Sequence, residues 1–108
     1  MITVKVTYTV KPEFVAKNKE NIQRFLADFQ KMDDAAFWYH ISLMDDGVTF
    51  SHFSAYRDEK IQQEVLNVAS FKVFQQERDE SGLNGSHAVK VLEFVGASSG
   101  KLTPGQPL

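Results

Sequence analysis

The segment FWYHISLMDDGVTFSHFSAYR, residues 37–57, decides how this chain folds. It contains two of the three histidines and the only tryptophan, and its centre, Asp45-Asp46-Gly47, is a turn signal between two apolar runs. The upstream run, residues 35–44, is apolar on both sides: Phe37, Tyr39, Ile41 and Leu43 alternate with Trp38, His40 and Met44. The downstream run, residues 48–57, reads as its partner strand. A three-residue loop, a type I turn ended by Gly47 in the left-handed region, sets Met44 opposite Val48. The register then pairs Ser42 with Phe50, His40 with His52 and Trp38 with Ser54, with opposed Cβ atoms roughly 4.5–5.5 Å apart. A loop of another length breaks this pairing, so the histidine pair rests on the turn.

Working outward, residues 2–10 place Ile2, Val4, Val6, Tyr8 and Val10 on one face and Thr3, Lys5, Thr7 and Thr9 on the other. That period of two is a strand. Pro12 then suits the first turn of a helix, where its missing N–H has no partner to lose. Over residues 13–31, Ile22, Phe25, Leu26 and Phe29 recur at helical spacing. Asp58 is a good N-cap for a second helical region reaching residue 80. Its apolar stripe changes phase between Val68 and Phe71, which predicts a kink or two short helices, with Asn67 or Ser70 capping the restart. A loop of Gly, Ser and Asn at 81–86 precedes a fourth strand over 87–95. Residues 96–108 lack periodicity and read as a flexible tail after a single domain spanning 1–95.

The order β-α-β-β-α-β is the ferredoxin-like arrangement, an α+β fold with a four-stranded antiparallel sheet and helices on one face. Right-handed crossovers put the first and third strands in the centre. Even-numbered residues of the first strand are its apolar set, so that face meets the helices. By parity, Trp38 and His40 join Tyr8, Phe50, His52 and Tyr56 there. Phe37, Tyr39, Ile41, Leu43 and Phe53 are left on the uncovered face, which predicts a homodimer packing sheet against sheet.

With 108 residues the chain has room for one core. A net charge of -2 argues against a nucleic-acid partner bound through a basic surface. The absence of cysteine excludes disulfides and thiolate chemistry. No run resembles a signal peptide or a membrane span, and a cytoplasmic location is the default expectation. Two histidines facing across a hairpin need a third ligand to hold a metal, and no carboxylate shares their parity nearby, so no metal site is expected. His87, beside the Gly-rich loop, reads as solvated, and Arg57 lies on the face away from the histidines.

The element order, with TYTVKPEF entering the first helix, FSAYRDEK leaving the third strand and ASFKVFQQE in the last helix, resembles the antibiotic biosynthesis monooxygenase family of dimeric α/β barrels. The resemblance spans residues 2–95. The family often carries Trp where this chain has Tyr56. Its heme-degrading branch uses a helix-borne histidine, and residues 58–80 contain none. The resemblance implies a monooxygenase that needs no cofactor and acts on a small aromatic or quinol-like ligand. Ground-state dioxygen is a triplet and reacts slowly with neutral closed-shell molecules, so such an enzyme supplies a base, a dry pocket and groups that hold an anion. His40 and His52 are the candidate bases. Tyr8, Trp38, Phe50, Tyr56 and Asn67 are the candidate substrate-binding residues. Two imidazoles in a cavity also satisfy each other or water without any chemistry. A non-catalytic dimeric binding or stress-associated module of the same fold therefore stands as the alternative.

Overall fold

The computed structural model describes residues 1–98 and 100. Strand β1 (Ile2–Thr9) leads through a 3-10 helix at Pro12–Phe14 into α1 (Val15–Phe29). Strands β2 (Phe37–Leu43) and β3 (Thr49–Tyr56) follow, then α2 (Glu59–Leu66), α3 (Ala69–Glu80) and β4 (Ala88–Leu92). The strands form one antiparallel sheet in the order β2-β3-β1-β4, with β1 and β3 central as expected. The second helical region is two helices. Asp58 caps α2 by accepting from the Ile61 amide, 2.9 Å. Val68, with no capping side chain, starts α3.

The hairpin departs from the expected register. Gly47 is left-handed (φ 75°) and its amide donates to the Met44 carbonyl, so the type I turn is present. The loop, however, is one residue longer. The Asp46 Oδ1 atom accepts from the amides of Val48 and Thr49, 3.0 and 2.8 Å, and Oδ2 accepts from the Thr49 hydroxyl. Val48 is thereby held in the loop, and its carbonyl accepts from the Val10 amide of the β1 end. Pairing resumes with the Met44 amide donating to Thr49. Leu43 then lies opposite Phe50, Ile41 opposite His52 and His40 opposite Phe53.

A slip of one residue turns every side chain of a strand to the other face. Phe37, Tyr39, Ile41 and Leu43, expected on the uncovered face, point to the helices, and Phe37 is buried there. Trp38 and His40, expected beneath the helices, lie on the outer face with their rings stacked 5.5 Å apart. Of the residues expected on the outer face, Phe53 stays there, opposite His40. The even residues of β1 and β3 meet the helices as expected, because Val6 pairs with His52 and Tyr8 with Phe50.

The core between sheet and helices is aromatic: Tyr8, Phe25, Phe29, Phe37, Phe50, Tyr56, Phe71 and Phe74. Phe25 is its hub, with its ring centroid 4.9 Å from Phe74 and 5.0 Å from Phe29 and Phe71. Edge strand β4 escapes this cover, and Val89 and Val91, on the helix side of the sheet, remain exposed. Most of the segment read as a tail, residue 99 and 101–108, lies outside the described residues.

Candidate functional site

His52 sits on the middle of central β3, its side chain aimed at the helices and only 2% exposed. Both ring nitrogens are engaged. Nε2 is 2.7 Å from the Tyr8 hydroxyl, and Nδ1 is 2.8 Å from the Tyr39 hydroxyl. The Tyr8 oxygen also accepts from the Asn18 side-chain amide, 2.9 Å. A continuous chain Asn18–Tyr8–His52–Tyr39 therefore crosses from α1 to β2 through the sheet's inner face. Burial makes the imidazolium costly, and the Arg78 and His87 charges add to that, so the His52 pKa falls to about 3. Burial likewise raises the pKa values of Tyr8, Tyr39 and Tyr56. At neutral pH the linked side chains of Asn18, Tyr8, His52 and Tyr39 are all uncharged.

Arg78 is the buried charge beside it. It is 6% exposed on α3, with the guanidinium carbon 5.2 Å from the Tyr8 ring centre and 5.3 Å from that of Phe74. Its carboxylate partner, Asp79, lies 3.0 Å away and is largely exposed, so solvent screens that pair. Stacking on two ring faces is a further stabilisation for a guanidinium withdrawn from water.

Tyr39, His52, Ser54, Tyr56 and Arg78 share the wall of a pocket of about 290 Å³ between the sheet and the α2–α3 pair. Val4, Val6, Val89 and Val91 floor it, and Leu66, Phe71, Gln62 and Gln75 roof it. His87 stands at the uncovered β4 side, exposed. The lining contains a buried cation and several hydrogen-bond donors, and no carboxylate among the described residues. Chemically, that arrangement favours a flat apolar ligand carrying a negative or strongly accepting group.

Of the residues singled out in the sequence, His52 and Tyr56 line this pocket, and Tyr8 stands behind it bonded to His52. Phe50 stacks on Tyr8 in the core, ring centres 5.6 Å apart, and lies outside the pocket lining. His40 and Trp38 belong to the opposite side of the sheet and are not brought to His52. Asn67 turns its side chain back to the Gln63 carbonyl, 2.7 Å, and is exposed instead of entering the pocket. Two further site residues carry a sequence signal of a different kind. Asn18 falls on the stripe of Ile22, Phe25 and Phe29, and Arg78 continues that of Phe71 and Phe74. A polar residue in the buried phase of an amphipathic helix needs a partner, and here each has one. Tyr39, expected on the uncovered face among the interface residues, enters the site because the hairpin register differs from the expected one.

No protein-family model matches this sequence, and no curated protein matches it. Solved structures do match, across nearly the whole chain. A crystal structure named as an antibiotic biosynthesis monooxygenase superposes with a TM-score of 0.74 at 11% identity, covering 89% of this chain and 100% of that one. The fold is that of the antibiotic biosynthesis monooxygenases. A candidate monooxygenase of this name from Nitrosomonas europaea gives 0.74 at 14% identity, covering 88% of this chain and 99% of that one. Another, from Caulobacter crescentus, gives 0.74 at 14% identity over 88% and 90%. At such identities the likeness is one of fold, and fold alone does not carry activity.

Proposed function

We propose that the pocket beneath α2 and α3 is the active site of a cofactor-free monooxygenase acting on a small aromatic compound with an acidic hydroxyl or active methylene. The observation that carries this reading is the charge pattern of the lining, a buried Arg78 and a set of donors with no carboxylate among the lining residues, Arg78's partner Asp79 lying outside the lining and largely exposed. The names of the similar structures support it.

An anthrone-type substrate illustrates the chemistry. Loss of a methylene proton leaves an enolate, which Arg78 stabilises at short range in a pocket of low dielectric. The enolate passes one electron to dioxygen, and the resulting radical and superoxide combine to a hydroperoxide. Loss of water from it leaves the ketone, so a CH2 group and O2 become C=O and H2O. His52 has both nitrogens engaged and resists protonation, so it serves to hold hydroxyls in place. His87, at the open edge, is the pocket histidine with access to solvent and acts as the proton acceptor.

Oxygen uptake with anthrone and a panel of hydroquinones tests the reading. Wild type consumes oxygen above background, and Arg78→Gln lowers the rate by roughly tenfold or more, the size of one lost charge-assisted hydrogen bond. His87→Ala slows turnover near pH 7 and recovers as pH rises and the substrate ionises unaided. Binding of these compounds without oxygen uptake would make the protein a binding module instead.

The same proposal includes a homodimer formed through the outer sheet face. That face presents Trp38, 46% exposed, with His40, Phe53 and Leu92, an apolar surface that a second copy covers.

A further inference from the structure

We infer that Asn18 is a positioning residue that sets the direction of every hydrogen bond from α1 to the pocket, making the Tyr39 hydroxyl a donor to the ligand. The inference rests on the pocket being the ligand site. It concerns which group there donates and which accepts.

Asn18 is 0% exposed, and its side chain makes one hydrogen bond among the described residues, to the Tyr8 oxygen. With Nδ2 on Tyr8, the atom left without a partner is the carbonyl Oδ1. The reversed amide would instead leave an NH2 group, two hydrogens, unpaired in the same apolar place. An under-satisfied carbonyl is the cheaper of the two. Asn18 therefore donates to Tyr8.

A phenol oxygen that accepts from Asn18 is free to give its own hydrogen to the next group, which is His52 Nε2 at 2.7 Å. Neutral imidazole has one N–H and one bare nitrogen. With Nε2 accepting, the proton resides on Nδ1 and is donated to the Tyr39 oxygen, 2.8 Å away. Tyr39 has no other hydrogen-bond partner among the described residues, and it lines the pocket. Its hydroxyl hydrogen is left for whatever the pocket holds. In the opposite sense, Tyr39 would spend that hydrogen on Nδ1 and offer the ligand an oxygen lone pair. The pocket thus prefers a ligand with a carbonyl or oxyanion over the same skeleton without one, and the preference is set by a residue that touches no ligand.

Two measurements separate this from the activity. Nitrogen-15 NMR of histidine-labelled protein reads which ring nitrogen of His52 bears the proton, with no substrate present. Wild type should show a protonated Nδ1 and a bare Nε2; a proton on Nε2 overturns the inference outright. Asn18→Asp, studied at pH 9 so that the carboxylate is ionised, can only accept, forcing Tyr8 to donate backward and moving the His52 proton to Nε2. A folded Asn18→Asp protein that keeps the proton on Nδ1 also overturns it. The second measurement is binding of 1-tetralone against tetralin, which differ at the carbonyl. Wild type should prefer the ketone roughly tenfold, one hydrogen bond's worth. Tyr39→Phe should lose that preference while His52 keeps its tautomer, and Asn18→Asp should lose both together. Equal affinity for the two compounds in wild type refutes the donor role of Tyr39. Failure of both to bind, with Nδ1 protonated, instead refutes the pocket as ligand site and leaves the bond directions standing.

Discussion

His52 shows what burial does to a single side chain. Its pKa falls from 6.5 to about 3, so the unfolded chain takes up a proton below pH 6.5 that the folded protein refuses. Stability is therefore complete above pH 6.5 and is lost as the pH falls toward 3, at about 1.4 kcal/mol per pH unit. Between pH 7 and 5 that amounts to roughly 2 kcal/mol. Urea denaturation at the two pH values should show this difference in wild type and a much smaller one in His52→Gln, which has no proton to gain. An equal loss in both proteins would assign the acid sensitivity to other groups. Asp46, whose pKa is lowered by its bonds to Thr49 and Val48, contributes in the same direction at lower pH and is present in both proteins.

At the scale of elements, the hairpin depends on two adjacent residues with separate tasks. Gly47 supplies the left-handed backbone, and Asp46 decides how many residues the loop contains. A Cβ at Gly47 would meet nothing within 4 Å, so the cost of a side chain there is purely conformational. Gly47→Ala should destabilise the protein by about 1–2 kcal/mol. The measurement is a lower urea midpoint at an unchanged slope, since the native fold and its buried area stay the same. An unaltered midpoint would mean that the loop adopts another conformation in solution. The break between α2 and α3 has a comparable function, because it lets Leu66 and Phe71 both reach the roof of the pocket.

For the whole molecule, the corrected register transfers the dimer proposal to a different set of residues. Trp38, His40 and Phe53 are aromatic residues that the strands place on the outer face, whereas Phe37, Tyr39, Ile41 and Leu43 are committed to the monomer's own core or its margin. Light scattering should give twice the chain mass for wild type, with an interface of roughly 1,600 Å² in total. Phe53→Asp, which puts a charge into that contact, should give a folded monomer. A monomeric wild type would remove the dimer altogether.

The strand order followed from the element order and the handedness of crossovers. The helix faces and the left-handed Gly47 were legible in the chain, because each depends on a local period or on the conformational preference of one residue type. His52 and Tyr56 were legible for the same reason: parity along one strand places them on the face that also carries Tyr8. The position of β2 against β3 was not. Period-two patterning cannot orient a strand that is apolar on both sides, and residues 37–44 are such a strand. Its orientation came from the Asp46 carboxylate taking the amides of Val48 and Thr49, and from the Val48 carbonyl bonding the end of β1. That one added loop residue separated His40 from His52 and brought in Tyr39. Asn18 and Arg78 stand in the buried phase of their helices, which the local pattern shows, but only the packing of those helices on the sheet brought them to Tyr8 and His52.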